Sequence, residues 1–351
     1  MYFVFGVLFH IIGGVAAGSF YVPYKKVTAW KWETYWIAGG LFSWIIAPFI
    51  AVWLTIPDFF TILSNSGGLL LWPVIFGLLW GVGGLTYGLG MRYLGMSLGN
   101  SVILGFSSAF GSLLPAIYYD FVSKEGKTSL SDMLANTGGQ IVLLGIVICL
   151  VGIAISGRAG MLKEKDIAVP EKGLNKNGNE FNIKKGLVLA VMSGILSACF
   201  SYGIEAGKPL ADAALSLGAH PLFQNNITFL VVLWGGFTSN FMWCLHLLFK
   251  NKSFPEFTDA SKPLLKNYIF CALAGTTWFL QFFFYGMGES RLGNGASSWI
   301  LHMCTIIIIG NLWGLYLKEW KGVQRKTKLM MLLGVAILLL SVFTVGYGSS
   351  L

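Results

Sequence analysis

The sequence predicts an all-α integral membrane protein with ten transmembrane helices, arranged as two inverted repeats of five helices. Three observations lead to this prediction. The chain is strongly apolar, a basic segment divides it into two halves, and one stretch of the first half recurs in the second. Together they describe a polytopic membrane protein with an internal duplication.

Composition separates this chain from soluble globular proteins. Of its 351 residues, 55% are hydrophobic and 11% are charged, and the mean hydropathy is +0.70. Soluble domains carry about a quarter charged residues. The apolar residues form runs of roughly 20, the length that crosses about 30 Å of hydrocarbon. These runs predict spans at 3–24, 35–56, 69–90, 94–119, 138–156, 186–207, 222–249, 267–288, 293–316 and 327–347.

The segment at 157–185 differs from its surroundings because it is basic and rich in Asn, Gly and Lys. It separates five predicted spans from five. We therefore predict a first repeat at 1–156, a cytoplasmic linker at 157–185 and a second repeat at 186–351.

Basic residues predict how the chain is oriented. The odd-numbered loops hold 20 of the 24 Lys and Arg residues, and the even-numbered loops hold the other four. Since Lys and Arg mark cytoplasmic loops, the odd loops are predicted inside and both termini outside. Five is an odd number, so the second half enters the membrane with the opposite orientation to the first.

The repeated stretch runs from 77 to 95 and again from 275 to 293. At a constant offset of 198 residues, the matched positions are Gly77 and Gly275, Trp80 and Trp278, Tyr87-Gly88 and Tyr285-Gly286, Gly90 and Gly288, and Leu94-Gly95 and Leu292-Gly293. Two weaker matches link Gly14 and Phe20 to Gly194 and Phe200, and Leu143-Leu144-Gly145 to Leu332-Leu333-Gly334. Inverted duplication is typical of secondary transporters, whose substrate site lies near the midplane between the repeats. A duplicated pore or scaffold remains an alternative.

Several functional classes are not favoured. The net charge of +9 comes from short loops between apolar runs, which suits membrane topology better than nucleic-acid binding. The five cysteines lie inside apolar runs without metal-ligand spacing, so we expect neither a metal site nor disulfides. No catalytic or nucleotide-binding motif is present, so we predict no enzyme, no cofactor and transport driven by an ion gradient.

Six blocks of the chain closely resemble the L-rhamnose–proton symporters. They are FYVPYKKVTAWKWET at 20–34, MRYLGMSLG at 91–99, FNIKKGLVLAVMSGILSA at 181–198, WFLQFFFYG at 278–286, SWILHM at 298–303 and LKEW at 317–320. The blocks extend from the first span to the loop after the ninth. One departure is the connection Leu292–Ser297, which is shorter and richer in glycine than we expect at the start of a helix that would line a sugar site.

The resemblance implies a ten-helix carrier of the drug/metabolite transporter superfamily. It implies import of a 6-deoxyhexose, L-rhamnose above all, with a proton across a bacterial inner membrane. The expected partners are the sugar, the proton and the lipid bilayer, and the sequence does not fix an oligomeric state. Two alternatives stay open: a carrier or exporter of another sugar, an amino acid or an amine, and a membrane sugar sensor that does not transport.

A sugar site needs side chains that replace water around the hydroxyls, together with an aromatic face for the C–H side of the ring. Trp80 and Trp278 are the candidate stacking residues, although with 13 tryptophans a packing role is an equal alternative. Gln281 shares a helix face with Trp278 and is expensive in hydrocarbon unless it is hydrogen-bonded. The predicted substrate-binding set is Trp80, Tyr87, Asn100, Trp278, Gln281, Tyr285, Ser298 and His302.

Proton coupling needs a buried group that can bind and release a proton. The candidates are His10, Glu205 and His302, and we expect His10, Gln281 and His302 to lie at depths that allow one shared cavity. The alternatives are buried histidines with a packing role and an interfacial ion pair between Glu205 and Lys208. Arg92, Glu289 and Arg291 lie near span ends, where we expect them to reach the interface or set topology.

Overall fold

The computed structural model describes residues 2–94, 96–122, 127–167, 183–293, 295–318 and 320–351, and over these residues the chain is helical without a β-strand. We number the ten long helices in chain order. They are α1 (Tyr2–Ser19), α2 (Trp32–Thr55), α3 (Leu71–Leu94), α4 (Met96–Phe121), α5 (Thr137–Ile167), α6 (Ile183–Ala206), α7 (Asn226–Asn251), α8 (Leu264–Leu292), α9 (Gly295–Tyr316) and α10 (Arg325–Ser349). Ten helices are long and apolar enough to cross a membrane, as predicted.

The largest difference from the predicted spans is the end of α5. The sequence predicts an end at 156, where the apolar run stops, but the helix continues to Ile167. The extra turns contain Ala, Met, Leu, Lys and Glu, which favour helix even outside hydrocarbon. At the end of α5, Asp166 accepts hydrogen bonds from the Gln324 amide (3.2 Å) and the Thr327 hydroxyl (2.7 Å) at the start of α10. The rest of the predicted linker, at 168–182, lies outside the described residues.

The chain forms two compact units, and each takes residues from both halves of the sequence. Unit 1 comprises Met1–Val82 and Cys199–Gly293, and unit 2 comprises Gly83–Ala198 and Asn294–Leu351. The boundaries fall inside α3 and α6. The predicted repeats are continuous in sequence, whereas the compact units are not, so the two divisions describe different properties of the chain.

In unit 1, α1 packs antiparallel against α8. Near the start of α1, Gly6 lies against Leu292 at the end of α8, and Phe20 just after α1 contacts Trp278 with ring centroids 6.4 Å apart. Glycines on α3 and α8 allow close helix contacts, because Gly77 packs on the backbone of α7 and Gly275 packs on the backbone of α2. Unit 1 therefore has a core of helices drawn from both halves of the chain.

In unit 2, α5 and α10 form an extensive antiparallel pair. Gly145 packs on Val345, Gly152 on Leu338 and Gly334 on Ser156. The centre of the pair is buried, since Cys149, Leu338 and Val345 are each inaccessible to solvent. The Ser341 hydroxyl donates a 2.7 Å hydrogen bond to the carbonyl of Gly145.

Helix α2 contains one wide turn, the π-helical segment Leu41–Ile46. Here the Ala47 amide bonds to the Phe42 carbonyl, five residues earlier. Pro48 follows directly, and a proline cannot donate to the carbonyl four residues before it. The wide turn places the buried Trp44 edge-on to Trp278, with ring centroids 5.7 Å apart at 82°. Such π-segments are often found at functional sites.

The loops at one end of unit 1 are joined by two buried carboxylates. Glu33 accepts hydrogen bonds from the Asn251 amide (2.9 Å) and the Ser253 hydroxyl (2.6 Å). Glu256 accepts them from the Lys31 backbone amide (2.8 Å) and the Thr34 hydroxyl (2.7 Å). These bonds connect the start of α2 to the segment between α7 and α8.

Candidate functional site

The two duplicated tryptophans lie in contact in unit 1. The ring centroids of Trp80 and Trp278 are 5.6 Å apart with an angle of 31° between the planes. Phe282 meets Trp278 edge-on at 4.8 Å, and Phe200 lies 5.0 Å from Trp80. Trp80 and Trp278 are both half-buried. An aromatic surface of this kind can stack on the apolar face of a sugar ring.

Gln281 lies beside this aromatic group and is buried, with 6% of its surface exposed. Its amide nitrogen donates a 2.9 Å hydrogen bond to the carbonyl of Trp278, one turn earlier on α8. The bond orients the amide within its own helix. Since a glutamine amide has two N–H groups and two acceptor sites, further hydrogen-bonding capacity remains at this position.

A narrow cavity adjoins Trp278 on the side of α2. It admits the centre of a water molecule over only about 10 Å³ and is lined by Phe20, Tyr24, Trp36, Gly40, Ser43, Trp44, Gly275 and Trp278. One water needs a comparable volume. A monosaccharide therefore does not fit this cavity, so sugar binding beside Trp278 requires these aromatic side chains to move apart.

At the end of α8, unit 1 contains a buried ionic cluster centred on Glu289, which is 4% exposed. The Lys208 ammonium forms an ion pair with Oε1 of Glu289, and the Asn225 amide donates to Oε2. Lys208 begins the short helix Lys208–Ser216, and Asn225 precedes α7. Three segments are thus joined at one carboxylate. Glu205 at the end of α6 lies within electrostatic range of Lys208.

His10 is fully buried beside this cluster. Its ring meets Tyr285 edge-on, with centroids 5.2 Å apart at 71°, and its Nε2 lies 2.7 Å from the position that a Cβ on Gly288 would occupy. Tyr285, at 2% exposure, also borders Phe229. The structure therefore brings His10, Tyr285 and Glu205 to the same end of unit 1.

The other predicted residues belong to unit 2. His302 and Ser298 lie one turn apart on α9 and are buried, at 1% and 0% exposure. Between them, Trp299 donates a 2.9 Å hydrogen bond to the carbonyl of Ser107, which holds α9 against α4. Tyr87 packs at a cluster formed by Leu94, Ile103 and Ala190. The side chain of Asn100 lies outside the described residues. Convergence of His302 with His10 and Gln281 stays a prediction.

Sequence reasoning missed the cluster around Glu289. It placed Glu289 near the lipid interface because the predicted span ends at residue 288, but the side chain bonds to Lys208 and Asn225. Asn225 lies at the N-cap position of α7 but makes no side-chain cap hydrogen bond there. A signal was present, since Glu289 directly follows the predicted span, and a carboxylate is expensive without a partner if the helix continues past that end.

Contacts within the two units repeat at the offsets found in the sequence. The pair Gly6–Leu292 recurs as Gly186–Leu94. A Cβ on Gly6 would lie 2.9 Å from the Leu292 side chain, and one on Gly186 would lie 2.6 Å from the Leu94 side chain. The pair His10–Gly288 recurs as Ala190–Gly90, and Phe20–Trp278 recurs as Phe200–Trp80. In each case α1 matches α6 at 180 residues and α8 matches α3 at 198. The packing of α1 on α8 thus has a counterpart in the packing of α6 on α3.

Comparison with known proteins identifies the family of this chain. The family model for the L-rhamnose-proton symport protein (RhaT) matches residues 2–350. An L-rhamnose-proton symporter of Yersinia pestis (strain Pestoides F) is 38% identical over 351 residues, covering 98% of each chain. One of Cronobacter sakazakii (strain ATCC BAA-894) is 39% identical over 349 residues, covering 98% of this chain and 97% of the relative. With a match over nearly its full length, this chain belongs to the L-rhamnose-proton symport protein family.

Proposed function

We propose that this protein imports L-rhamnose together with a proton across the bacterial inner membrane. The observation that carries the proposal is family membership over residues 2–350, shared with symporters that are named for this sugar and for the proton. The ten apolar helices suit a multi-pass carrier. As a transporter it moves its substrate unchanged.

The sugar site of this proposal lies at Trp278 and Trp80. L-Rhamnose has a methyl group and C–H faces that an indole ring can cover, and hydroxyls that need polar partners. Gln281 supplies such a partner on the same helix as Trp278. Tyr87, Asn100, Tyr285, Ser298 and His302 complete the proposed set of substrate contacts. The narrow cavity beside Trp278 is too small for the sugar, so binding there requires the aromatic side chains to move apart.

The proposed mechanism is alternating access by two inverted repeats. It is supported by two matching contacts: Gly145 on α5 packs on Val345 of α10, and Gly334 on α10 packs on Ser156 of α5. Gly334 lies 189 positions after Gly145, and Ser156 lies 189 positions before Val345, so the same contact is made twice with the two helices exchanged. A pair of antiparallel helices whose contacts exchange in this way has the symmetry of a two-fold axis across them. Such an axis in the membrane plane is the symmetry of inverted-repeat transporters.

The proposed orientation follows the basic loops, with both termini outside. Under this orientation the end of α8 that carries Glu289 faces the periplasm, and the Glu33 and Glu256 loops face the cytoplasm. A proton would enter from the periplasmic side, where His10 and Glu205 lie close to Tyr285 and Lys208. His302 on α9 is the further candidate for proton transfer.

Proteoliposome transport tests this function. Purified protein in vesicles with an acidic exterior is expected to accumulate radiolabelled L-rhamnose above its external concentration, and a protonophore should abolish the accumulation. L-Fucose, D-glucose and an amino acid in excess serve as competitors. Uptake that ignores the imposed pH gradient would remove the coupling, and stronger competition by another solute would change the substrate.

The site assignment has a separate test. Gln281→Leu and His302→Gln are expected to lower uptake at least about tenfold, since the first removes a buried polar group that binding would need and the second removes a buried group that can bind and release a proton. Thermal unfolding in detergent monitors folding of the variants. Normal transport by both variants would contradict the proposed site. Phe343→Leu, on an exposed side chain of α10, is the matched control.

A further inference from the structure

We infer that Glu289 is the proton-binding carboxyl of the transport cycle and that Asn225 responds to its protonation. The inference rests on the proposed proton symport. It assigns the proton to a residue that the sequence placed at the lipid interface. It stands on the position of Glu289, on the partners of its two oxygens, and on one acceptor atom of Asn225.

Glu289 has the surroundings of an ionised carboxylate in this structure. Each of its oxygens accepts a hydrogen bond, one from the Lys208 ammonium and one from the Asn225 amide nitrogen. The same amide nitrogen lies 3.5 Å from the carbonyl of Gly286. Only 4% of Glu289 is exposed, so the carboxylate depends on these donors for the solvation that water would otherwise provide.

The Asn225 amide also holds an unused acceptor. Asn225 is 1% exposed, and within the described chain its Oδ1 has no hydrogen-bond donor. A buried acceptor in this condition needs an explanation. An ionised Glu289 can only accept hydrogen bonds, whereas a protonated one carries an O–H that donates. Rotation of the Asn225 amide by half a turn would turn Oδ1 toward that O–H, so the same two residues can bond in either protonation state.

Lys208 provides the link to conformational change. Its side chain is 23% exposed, so water reaches the ion pair from this side. When a proton from water neutralises Glu289, the Lys208 ammonium loses its counter-ion there, while Glu205 remains within electrostatic range. The short helix Lys208–Ser216 is then free to separate from α8. When the helix returns in the state that is open to the cytoplasm, the ammonium favours the ionised carboxylate and the proton is released to that side.

Several neighbouring elements contribute titratable or polar groups to this cluster. From α1 the neighbour is His10, and from α6 it is Glu205. The short helix contributes Lys208 and Asp212, and α8 contributes Tyr285, with Arg291 two residues after Glu289 in the sequence. The segment before α7 contributes the neutral Asn225. A change of charge at Glu289 therefore changes how far the nearby carboxylates, Glu289 and Glu205, neutralise the Lys208 ammonium.

The internal duplication supports a specific role for this position. At an offset of 198 residues, the first copy has Met91 where the second has Glu289, and Gly83 where the second has Gln281. The packing contacts of the two copies are shared, but the ionisable group belongs to one copy only. Packing alone therefore does not require a carboxylate at this place in the helix.

The test separates transport from coupling. Glu289→Gln keeps the shape of the side chain and resembles the protonated state. We expect it to retain counterflow exchange of L-rhamnose within about threefold of wild type, while accumulation driven by a pH gradient falls at least about tenfold. Asp58→Asn, at an exposed carboxyl outside this cluster, is the control and should keep full coupling.

Asn225→Asp gives a second, independent readout. Two carboxyls in contact share a proton more tightly than one, so the external pH at which uptake is half-maximal should rise by about one unit or more. Glu289→Gln with normal gradient-driven accumulation, or Asn225→Asp with an unchanged pH profile, would overturn the inference. Failure of the wild-type protein to couple uptake to the gradient would instead remove the proposed function.

Labelling of the wild-type chain keeps the inference testable if the variants fold poorly. Dicyclohexylcarbodiimide reacts with protonated carboxyls in apolar surroundings. Mass spectrometry should find Glu289 modified at acidic pH, with less modification as the pH rises. Absence of the label on Glu289 at every pH, with other buried carboxyls modified, would overturn the assignment.

Discussion

His10 on α1 and Gly288 on α8 are in direct contact, and the same contact joins Ala190 on α6 to Gly90 on α3. A Cβ on Gly288 would lie 2.7 Å from Nε2 of His10, and one on Gly90 would lie 3.4 Å from the Cα of Ala190. Both copies pack a residue against a glycine at this position, but that residue is His10 in one copy and Ala190 in the other. The first prediction concerns the cost of a methyl group at Gly288.

Gly288→Ala should destabilise the protein by about 1–3 kcal/mol, because the added methyl group meets a buried ring with no room to shift. Gly310→Ala is the control, since a Cβ at that helical position meets nothing within 4 Å and should leave stability unchanged or raise it by about 1 kcal/mol. Thermal unfolding in detergent measures both. Equal unfolding temperatures for Gly288→Ala and wild type would show that α1 and α8 are less tightly packed than the structure indicates.

Acid sensitivity should arise from Glu256 in the loop between α7 and α8. Burial alone would raise the pKa of Glu256, but hydrogen bonds from the Thr34 hydroxyl and the Lys31 amide and the nearby Lys262 ammonium together hold its pKa below the ordinary 4.5. Because the pKa is lowered in the folded state, the stabilisation is present above about pH 4.5 and is lost as the pH falls through the folded pKa.

Glu256→Gln should therefore lower the free energy of unfolding by about 1–3 kcal/mol at neutral pH, with the difference from wild type shrinking in acid. Unfolding temperatures measured across the acid range give the comparison. Asp58→Asn is the control, because this exposed residue has a left-handed backbone (φ 45°) that asparagine tolerates. A constant difference between Glu256→Gln and wild type at every pH would contradict the prediction.

The sequence predicted the helices well because a membrane constrains them directly. Hydrocarbon requires long apolar runs with internally bonded backbones, so composition alone locates ten spans. It could not place the end of α5, because residues beyond 156 continue the helix on local propensity after the apolar signal has ended. Nor could it foresee the wide turn at Leu41–Ile46, which depends on how Pro48 and Trp44 fit among their neighbours.

The candidate site was predictable only in part. The sequence match between Trp80 and Trp278 identified two side chains whose ring centroids lie 5.6 Å apart. Glu289 was missed because distance from a helix end is a poor guide to whether a side chain faces lipid or protein. That direction depends on the partners Lys208 and Asn225, which lie 81 and 64 residues away in the chain.

A third prediction concerns the extension of α5 beyond residue 156. Asp166 accepts hydrogen bonds from the Gln324 amide and the Thr327 hydroxyl, and a carboxylate at a helix N-terminus also favours the helix dipole. Asp166→Ala should cost about 1–2 kcal/mol of stability, with transport kinetics close to wild type. Asp166→Asn keeps an acceptor oxygen and should restore part of the loss. A change in rhamnose uptake larger than the change in stability would show that this contact takes part in the transport cycle.

The last prediction concerns the two tryptophans of the repeat. Trp278→Phe should raise the concentration of L-rhamnose for half-maximal uptake by about 3- to 10-fold, because the smaller ring covers less of the sugar. Trp80→Phe should have a smaller effect, since Gln281 lies on the same helix as Trp278 and donates to its carbonyl. Radiolabelled uptake gives the half-saturation values, and quenching of tryptophan emission by the sugar should weaken in Trp278→Phe. Trp53→Phe is the control, because Trp53 has 65% of its surface exposed and lies far along α2 from Trp44. Unchanged half-saturation in both duplicated positions would mean that the pair serves packing, and the sugar site would then lie elsewhere in the protein.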